Sequence, residues 1–465
     1  MNLTRGIDES RRPAGRILIV SYWFQPALSV ASIRTGKLAK HLRDRGWDVR
    51  VLAAAATGAP ETLPLDIPRE IVTYAPWIQV DQYLQNALQR LSLKRPAAPP
   101  ASTPDASATH DPEEARQRSR LRNAARAIYQ EIVRWPDNRA GWLKPAAEAG
   151  DNLVASWRPD VIFATSPPPT SLVLADRLAR KHGIPWVAEF RDLWSDHPYY
   201  EYSAVRRWFE RAWDQRVVSR ASAIVTVSPI WQPRLEARYG RPTTIAMNGF
   251  VADDFPEQPP VAPETSGPLR IVYTGHIYRG HRDPTALFRA LRKVGAAPTD
   301  VVVEFIGTEN KGLFALSAAE GVADLVRVYE PVSYRRALEL QLHADVLLHL
   351  QWCDPKEVGT IAGKIFDYLY TRRPILGIAL EDSVVAKMIH ERNAGLVTND
   401  VAKIAERLDG WLREKHAGGI APLPESASRG LERALQFEKI RSLLAGILKR
   451  TPQAADAPAA FARSD

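Results

Sequence analysis

Apolar residues recur along this chain at two spacings. Short runs that are apolar at nearly every position include Ile17 to Tyr22, Asp48 to Ala53, Val161 to Ser166 and Pro185 to Phe190. Such runs predict strands covered on both faces, as in a parallel sheet. Between the first two lies a segment from about Ser29 to Arg45 with Ile33, Leu38 and Leu42 at helical spacing, closed by Gly46. A helix over Ser171 to His182 separates the last two. The same alternation restarts at Leu269. It predicts strands from Leu269, Val301, Val326 and Asp345, helices over Thr285 to Val294 and Tyr334 to His343, and a last helix over Arg429 to Lys449. The fold class is therefore α/β, built from two Rossmann-like strand series.

One helix is ambiguous. From Ser203 to Ser222, Val205, Trp208, Phe209, Ala212, Trp213 and Val217 fall on one face, and Arg206, Arg207, Glu210, Arg211 and Asp214 on the other. The ordinary expectation buries the first face and solvates the second. The alternative is an interfacial helix touching anionic lipid.

With 465 residues, the chain exceeds one ordinary core. The divisions expected are a flexible arm (1–15), an N-terminal Rossmann-like domain (16–252), a linker (253–268), a C-terminal Rossmann-like domain (269–428), a terminal helix (429–450) and a disordered tail (451–465). Within the first domain, Pro, Ala, Ser and Thr crowd residues 93–112, which reads as a disordered insert. A helix is expected from Glu113 to Val133. The single cysteine, Cys353, excludes an intrachain disulfide and fits a cytoplasmic protein. No base stands near it in sequence, so it reads as a passive loop residue. No run of apolar residues is long enough to span a bilayer. The formal charge of +9 favours anionic partners. Nucleic acid is not expected, because no aromatic-interleaved basic run or zinc spacing is present.

The candidate chemistry centres on Asp345 to Leu380. Here strand, irregular loop, short helix and strand follow one another, with the helix starting near Ala362 and stopped by Pro374. Lys364 falls in the first turn, where free amides favour an anion. Asp367 lies three residues on, on the same face. A cation beside free amides suits a diphosphate, and a carboxylate one turn away suits vicinal hydroxyls. A surface Lys–Asp pair on an ordinary crossover helix is the competing interpretation. Elsewhere, Arg191 and Asp192 end a strand, where such sheets bind ligands, or else form a structural ion pair. Gly275 allows close backbone approach, and Arg279, His281 and Arg282 precede a helix. The first strand is followed by no Gly-x-Gly-x-x-Gly, which argues against an NAD-linked dehydrogenase.

Several stretches together resemble the bacterial glycosyltransferase family 4. They are Ile184-Pro-Trp-Val-Ala-Glu-Phe-Arg-Asp-Leu-Trp, Asn248-Gly-Phe with Asp254-Phe, Leu269-Arg-Ile-Val-Tyr-Thr-Gly, and Ala362-Gly-Lys-Ile-Phe-Asp-Tyr-Leu-Tyr-Thr-Arg-Arg-Pro. The resemblance spans about residues 16–55 and 135–448. It implies a GT-B fold, two Rossmann-like domains facing across a cleft. It also implies a retaining transfer of sugar from a nucleotide diphosphate sugar to a saccharide or lipid-linked hydroxyl, in cell-surface polysaccharide synthesis. The donor would bind the C-terminal domain without a metal or resident cofactor. Lys364 resembles the phosphate-binding lysine, with Arg279 as its partner cation. Asp367 matches the second acid of a Glu-x7-Glu motif that holds the ribose. Glu330 lies where the base is read. Gly275, Gly307 and Gly363 complete the donor-binding set, and Asp192 would orient the acceptor or donor sugar.

Two departures stand out. The first acid of Glu-x7-Glu falls on Gly359, so either Glu357 or backbone amides of the loop would reach the donor sugar. The expected glycine-rich loop after the first strand reads Ala27-Leu-Ser-Val-Ala-Ser. These departures motivate one alternative, a non-catalytic nucleotide-binding scaffold, and a nucleotide-sugar epimerase of the same architecture is a third reading. The charge and the Trp/Arg helix leave open a peripheral contact at the inner membrane face. The sequence identifies neither the base and sugar of the donor nor the acceptor.

Overall fold

The computed structural model describes residues 13–78 and 135–450, apart from 56, 201, 260, 278, 279 and 309. The insert at 93–112, the helix expected over 113–133 and the terminal tail lie outside the described residues, as does most of the N-terminal arm.

Strands and helices alternate in chain order: β1 (Arg16–Ser21), α1 (Val30–Asp44), β2 (Asp48–Ala54), β3 (Val72–Ala75), α2 (Leu143–Trp157), β4 (Val161–Ser166), α3 (Thr170–His182), β5 (Trp186–Phe190), α4 (Ala204–Val218), β6 (Ala223–Thr226), α5 (Trp231–Tyr239) and β7 (Thr243–Ile245). The second series is β8 (Leu269–Thr274), α6 (Thr285–Val294), β9 (Val301–Ile306), α7 (Asn310–Ala319), β10 (Val326–Tyr329), α8 (Tyr334–Leu342), β11 (Val346–Leu350), α9 (Lys364–Thr371), β12 (Ile375–Ile378), α10 (Val384–Glu391), β13 (Gly395–Val397), α11 (Val401–His416) and α12 (Arg433–Arg450).

Two parallel sheets result, one of seven strands ordered β3-β2-β1-β4-β5-β6-β7 and one of six ordered β10-β9-β8-β11-β12-β13. In each, strand order reverses beside the first strand of the series, between β1 and β4 and between β8 and β11. Such reversals open a crevice at the carboxyl ends of the strands. The chain forms two compact units. The first lies within residues 1–224, 238–242 and 443–465, and the second within 225–237 and 243–442.

The cores follow from the strand composition. Ile17, Leu18, Ile19 and Val20 of β1 are all fully buried. In the second unit, Leu269, Ile271 and Tyr273 pack toward α6 and α11, while Val272 packs with α9 and α10. A strand buried on both faces needs apolar residues at both parities, which is why these runs are continuous. In the first unit, Gly15 leaves no room for a side chain. A Cβ there would meet Leu448 at 2.5 Å and Trp47 at 2.8 Å.

Helix α4 reverses the ordinary expectation. Arg206, Glu210, Asp214, Val217 and Val218 are buried, whereas Val205, Trp208 and Phe209 are exposed. The inward charges are matched rather than solvated. Arg206 pairs with Glu210 at 2.8 Å, and its guanidinium stacks on the Tyr202 ring. Asp214 accepts from Ser195 and from Arg238. Trp213, at the margin, stacks on Trp135 and meets Trp194 edge-on. A paired inner face let this helix turn its tryptophan ridge outward.

A second buried pair joins α1 to β5. Arg34 reaches Glu189 at 2.8 Å, and both are nearly inaccessible. Thr165 donates to the other Glu189 oxygen at 2.6 Å. We expect Glu189→Gln to destabilise the first unit by about 3 kcal/mol, because it leaves the Arg34 charge buried and uncompensated. Urea titration followed by circular dichroism measures this. A change near zero would show that the pair is not buried in solution.

Candidate active site

The second sheet's crevice is shaped by three strand ends. Beyond β8, the Gly275 amide donates to the Ile306 carbonyl at 2.8 Å, and beyond β9 the Gly307 amide donates to Tyr329 at 3.0 Å. Gly275 has φ +117° and Gly307 φ +89°, where a side chain would be strained. A Cβ on Gly275 would stand 3.1 Å from the Lys364 ammonium. The glycine therefore leaves the space that the lysine enters.

Helix α9 begins at Lys364, two residues later than the spacing predicts, with Gly363 as its N-cap. The lysine is its first helical residue, and its ammonium turns back toward the strand ends. There it donates to the Thr274 carbonyl and lies 3.8 Å from the centre of the Tyr273 ring. No carboxylate pairs with it among the described residues. Burial holds its pKa well below the ordinary lysine range, and the nearby Arg282 guanidinium adds to the depression. Arg282 itself donates to the His276 carbonyl at 2.8 Å. A half-buried ammonium and a guanidinium placed together at a sheet reversal are relieved by a bound anion.

His349 joins this cluster. It lies in β11, fully surrounded, with Nε2 3.3 Å from Gln351 and Nδ1 without a hydrogen-bond partner among the described residues. Burial, followed by the Lys364 charge, pushes its pKa down to about 3. The imidazole is therefore neutral at working pH and still has a ring nitrogen to offer. Sequence reasoning treats His349 only as part of a strand. The available signal is a histidine inside an otherwise apolar run.

Asp367 is more fully buried, and among different groups. Its Oδ1 has no hydrogen-bond partner among the described residues. Burial pushes its pKa up to about 7, Arg433 opposes the rise and Asp254 adds to it. Neither a hydrogen bond nor an ion pair joins it to Lys364 among the described residues. The competing interpretation, a surface Lys–Asp pair, is not what the structure shows. Arg433 also donates to the carbonyls of Asn248 and Gly249. Gly249, at φ +74°, packs so tightly that a Cβ would meet the Leu431 carbonyl at 2.7 Å.

The loop before α9 accounts for the missing acid. A Cβ on Gly359 would stand 2.2 Å from the Trp231 indole nitrogen, so the ring occupies the space that a glutamate there would need. Glu357 is turned inward. Its carbonyl accepts from the Gln351 amide at 2.8 Å and its Oε2 is 3.3 Å from the same nitrogen. Its carboxylate is thus engaged within the loop. Glu330 is exposed just past β10. Arg279 lies outside the described residues. Cys353 is a free thiol whose pKa is pushed up by burial, the opposite of an activated nucleophile.

In the first unit, the ends of β4 and β5 carry a polar relay. Arg191 donates to Thr165 Oγ1 at 2.9 Å and to the Pro167 carbonyl at 2.8 Å. No ion pair links it to Asp192 among the described residues, so the structural-pair expectation fails there. Asp192 is half-buried. Burial pushes its pKa up, against His197 and Arg191. Arg34, Glu189 and Thr165, which stabilise this relay from beneath, are not picked out by the sequence. Among the described residues no group of three or more His, Cys, Asp or Glu side chains could hold a metal ion, and no helix is long and apolar enough to cross a membrane.

Residues 31–249 match the family model described as a glycosyl transferase 4-like domain. No curated protein matches the sequence. Among solved structures, Anabaena Alr3699/HepE in complex with UDP-glucose aligns at 13% identity with a TM-score of 0.58, covering 93% of this chain and 100% of that one. WaaG, a glycosyltransferase involved in lipopolysaccharide biosynthesis, aligns at 14% identity and a TM-score of 0.54, covering 94% and 100%. A glycosyltransferase from Rickettsia africae ESF-5 aligns at 12% identity and a TM-score of 0.55, covering 94% and 99%. These likenesses establish the α/β GT-B fold.

Proposed function

We propose that this chain, whose residues 31–249 match a glycosyl transferase 4-like domain and whose fold is GT-B, is a glycosyltransferase that moves sugar from a nucleotide diphosphate sugar to a hydroxyl of a saccharide or lipid-linked acceptor, with retention at the anomeric carbon. The observation that carries the donor assignment is the half-buried Lys364 ammonium, set at the reversal of the second sheet beside Arg282 with no carboxylate paired to it among the described residues. Solved structures of this fold hold UDP-glucose or UDP, which supports a nucleotide-sugar donor here.

Lys364 and the first-turn amides of α9 take the diphosphate, and Arg282 adds a second positive charge. The family resemblance makes Arg279 a further candidate cation for the phosphates. Asp367 as a carboxylate accepts from the ribose hydroxyls, and the strand ends at Gly275, Gly307 and Glu330 line the nucleoside. Asp192 orients a sugar hydroxyl in the first unit. In the reaction, the acceptor oxygen forms a bond to the anomeric carbon on the face that the diphosphate leaves. The bond from that carbon to the diphosphate oxygen breaks, and the acceptor proton passes to a phosphate oxygen. Negative charge grows on the leaving group, so fixed cations lower the barrier by about 2–4 kcal/mol each. Polysaccharide synthesis at the cell surface is the physiological setting this chemistry fits.

Calorimetric titration with a panel of UDP-, GDP- and dTDP-sugars tests the proposal, followed by long incubation of any binder. One donor should bind and slowly release free sugar and nucleoside diphosphate. A chain that binds none of them, or binds one and never cleaves it, refutes the assignment and favours the scaffold.

A further inference from the structure

None of the residues assigned above to sugar transfer lies on the outward face of α4. Val205, Trp208 and Phe209 are 68%, 66% and 53% exposed. With Ala212, also exposed, they fall at i, i+3, i+4 and i+7, a single stripe. Trp208 and Phe209 meet edge-on with ring centres 4.8 Å apart, forming one aromatic ridge. The stripe cannot turn inward, because the opposite side is held by the Arg206–Glu210 pair and by the Asp214–Arg238 pair. Exposing tryptophan and phenylalanine costs free energy in water and calls for a cover.

The charges beside the ridge say what the cover is. Both acids of α4, Glu210 and Asp214, are buried. Its exposed ionic groups are cationic, with Arg211 beside the ridge and Arg216 one turn beyond Ala212 at its end. Arg211 reaches Asp196 only at 3.6 Å, and Arg216 has no ion-pair partner among the described residues. A second copy packed across a two-fold axis would bring these arginines against their own counterparts. Phosphate headgroups over acyl chains match an aromatic ridge flanked by arginines. The net charge of +9 points the same way. We propose that α4 docks this protein on a bilayer surface rich in anionic lipid, with Trp208 and Phe209 inserted at the headgroup boundary and Arg211 and Arg216 on the phosphates. This goes beyond the transfer reaction and does not depend on it.

Flotation with phosphatidylcholine vesicles, with and without phosphatidylglycerol, tests the docking. The full chain should float with the anionic vesicles and separate from them at high salt. Trp208→Ser combined with Phe209→Ser should weaken this binding about tenfold or more. Arg211→Gln with Arg216→Gln should reduce it to the level on phosphatidylcholine alone. These side chains are exposed, so melting temperatures should be unchanged in both variants. The proposal is overturned if the parent chain does not float, or if both variants float as it does. It is equally overturned if light scattering shows a lipid-free dimer that the aromatic variant dissolves, since the face would then join two copies. Donor cleavage in solution is read separately, so docking can fail while the transferase assignment stands.

Discussion

Replacing Lys364 by alanine is expected to lower kcat/KM for sugar transfer about a thousandfold while leaving the fold intact. The magnitude follows from removing a preorganised cation from a site where leaving-group charge develops. The fold survives because the ammonium is stabilised by no carboxylate and is penalised by burial. Steady-state kinetics with the donor identified by titration, together with a thermal melt, measures both parts. Near-native turnover would exclude Lys364 from the phosphate site. Lys364→Arg should not rescue, since the space beside Gly275 fits a slim ammonium and not a planar fork. A linked effect identifies the charge. The free lysine binds its proton weakly, and an anionic donor strengthens that binding. Donor affinity should therefore fall as pH rises through the depressed lysine pKa, with proton uptake on binding. Calorimetry in buffers of different ionisation enthalpy reads the uptake directly.

Asp367→Asn should have effects of opposite sign on stability and on function. In the folded protein the Asp367 pKa is pushed up to about 7, against 3.8 for the ordinary group. The folded state therefore keeps a proton that the unfolded chain releases first. The favourable contribution is complete below the unfolded value and is lost as pH rises through 7. Three pH units at 1.36 kcal/mol each come to about 4 kcal/mol. Asparagine has no proton to lose, so the variant should be more stable than the parent at pH 8 by about that amount. Near pH 4 the two should differ little. Donor affinity should move the other way, falling about tenfold or more at pH 8, because the ribose hydroxyls lose a charged acceptor. Urea titrations at the two pH values and one donor titration decide it. A variant destabilised at pH 8 would mean that the carboxylate is satisfied in the free protein.

The strand series and the placement of Lys364 were legible because each depends on local pattern. A strand buried on both faces must be apolar throughout, and a helix after an irregular loop must present free amides. Thr285–Val294 is predicted and observed with the same bounds. What the pattern could not decide was which face of an amphipathic helix turns inward. In α4 both faces are internally consistent, and the choice depends on Ser195, Arg238, Trp135 and Tyr202, which are remote in sequence or on other elements. The same limit hid Arg34 and Glu189, 155 residues apart, since a buried charge looks like a surface one until its partner is known. Gly359 was visible as a departure from the motif. Its cause was not, because the indole that excludes a side chain there comes from Trp231.

The contact between Gly15 and Leu448 also orders events during synthesis. The first unit is assembled from the segment around Gly15 and from a helical segment around Leu448, which is made long after it. A ribosome must therefore translate past Leu448 before that unit has all its parts. A nascent chain that stops at residue 442 ends with the first unit unclosed.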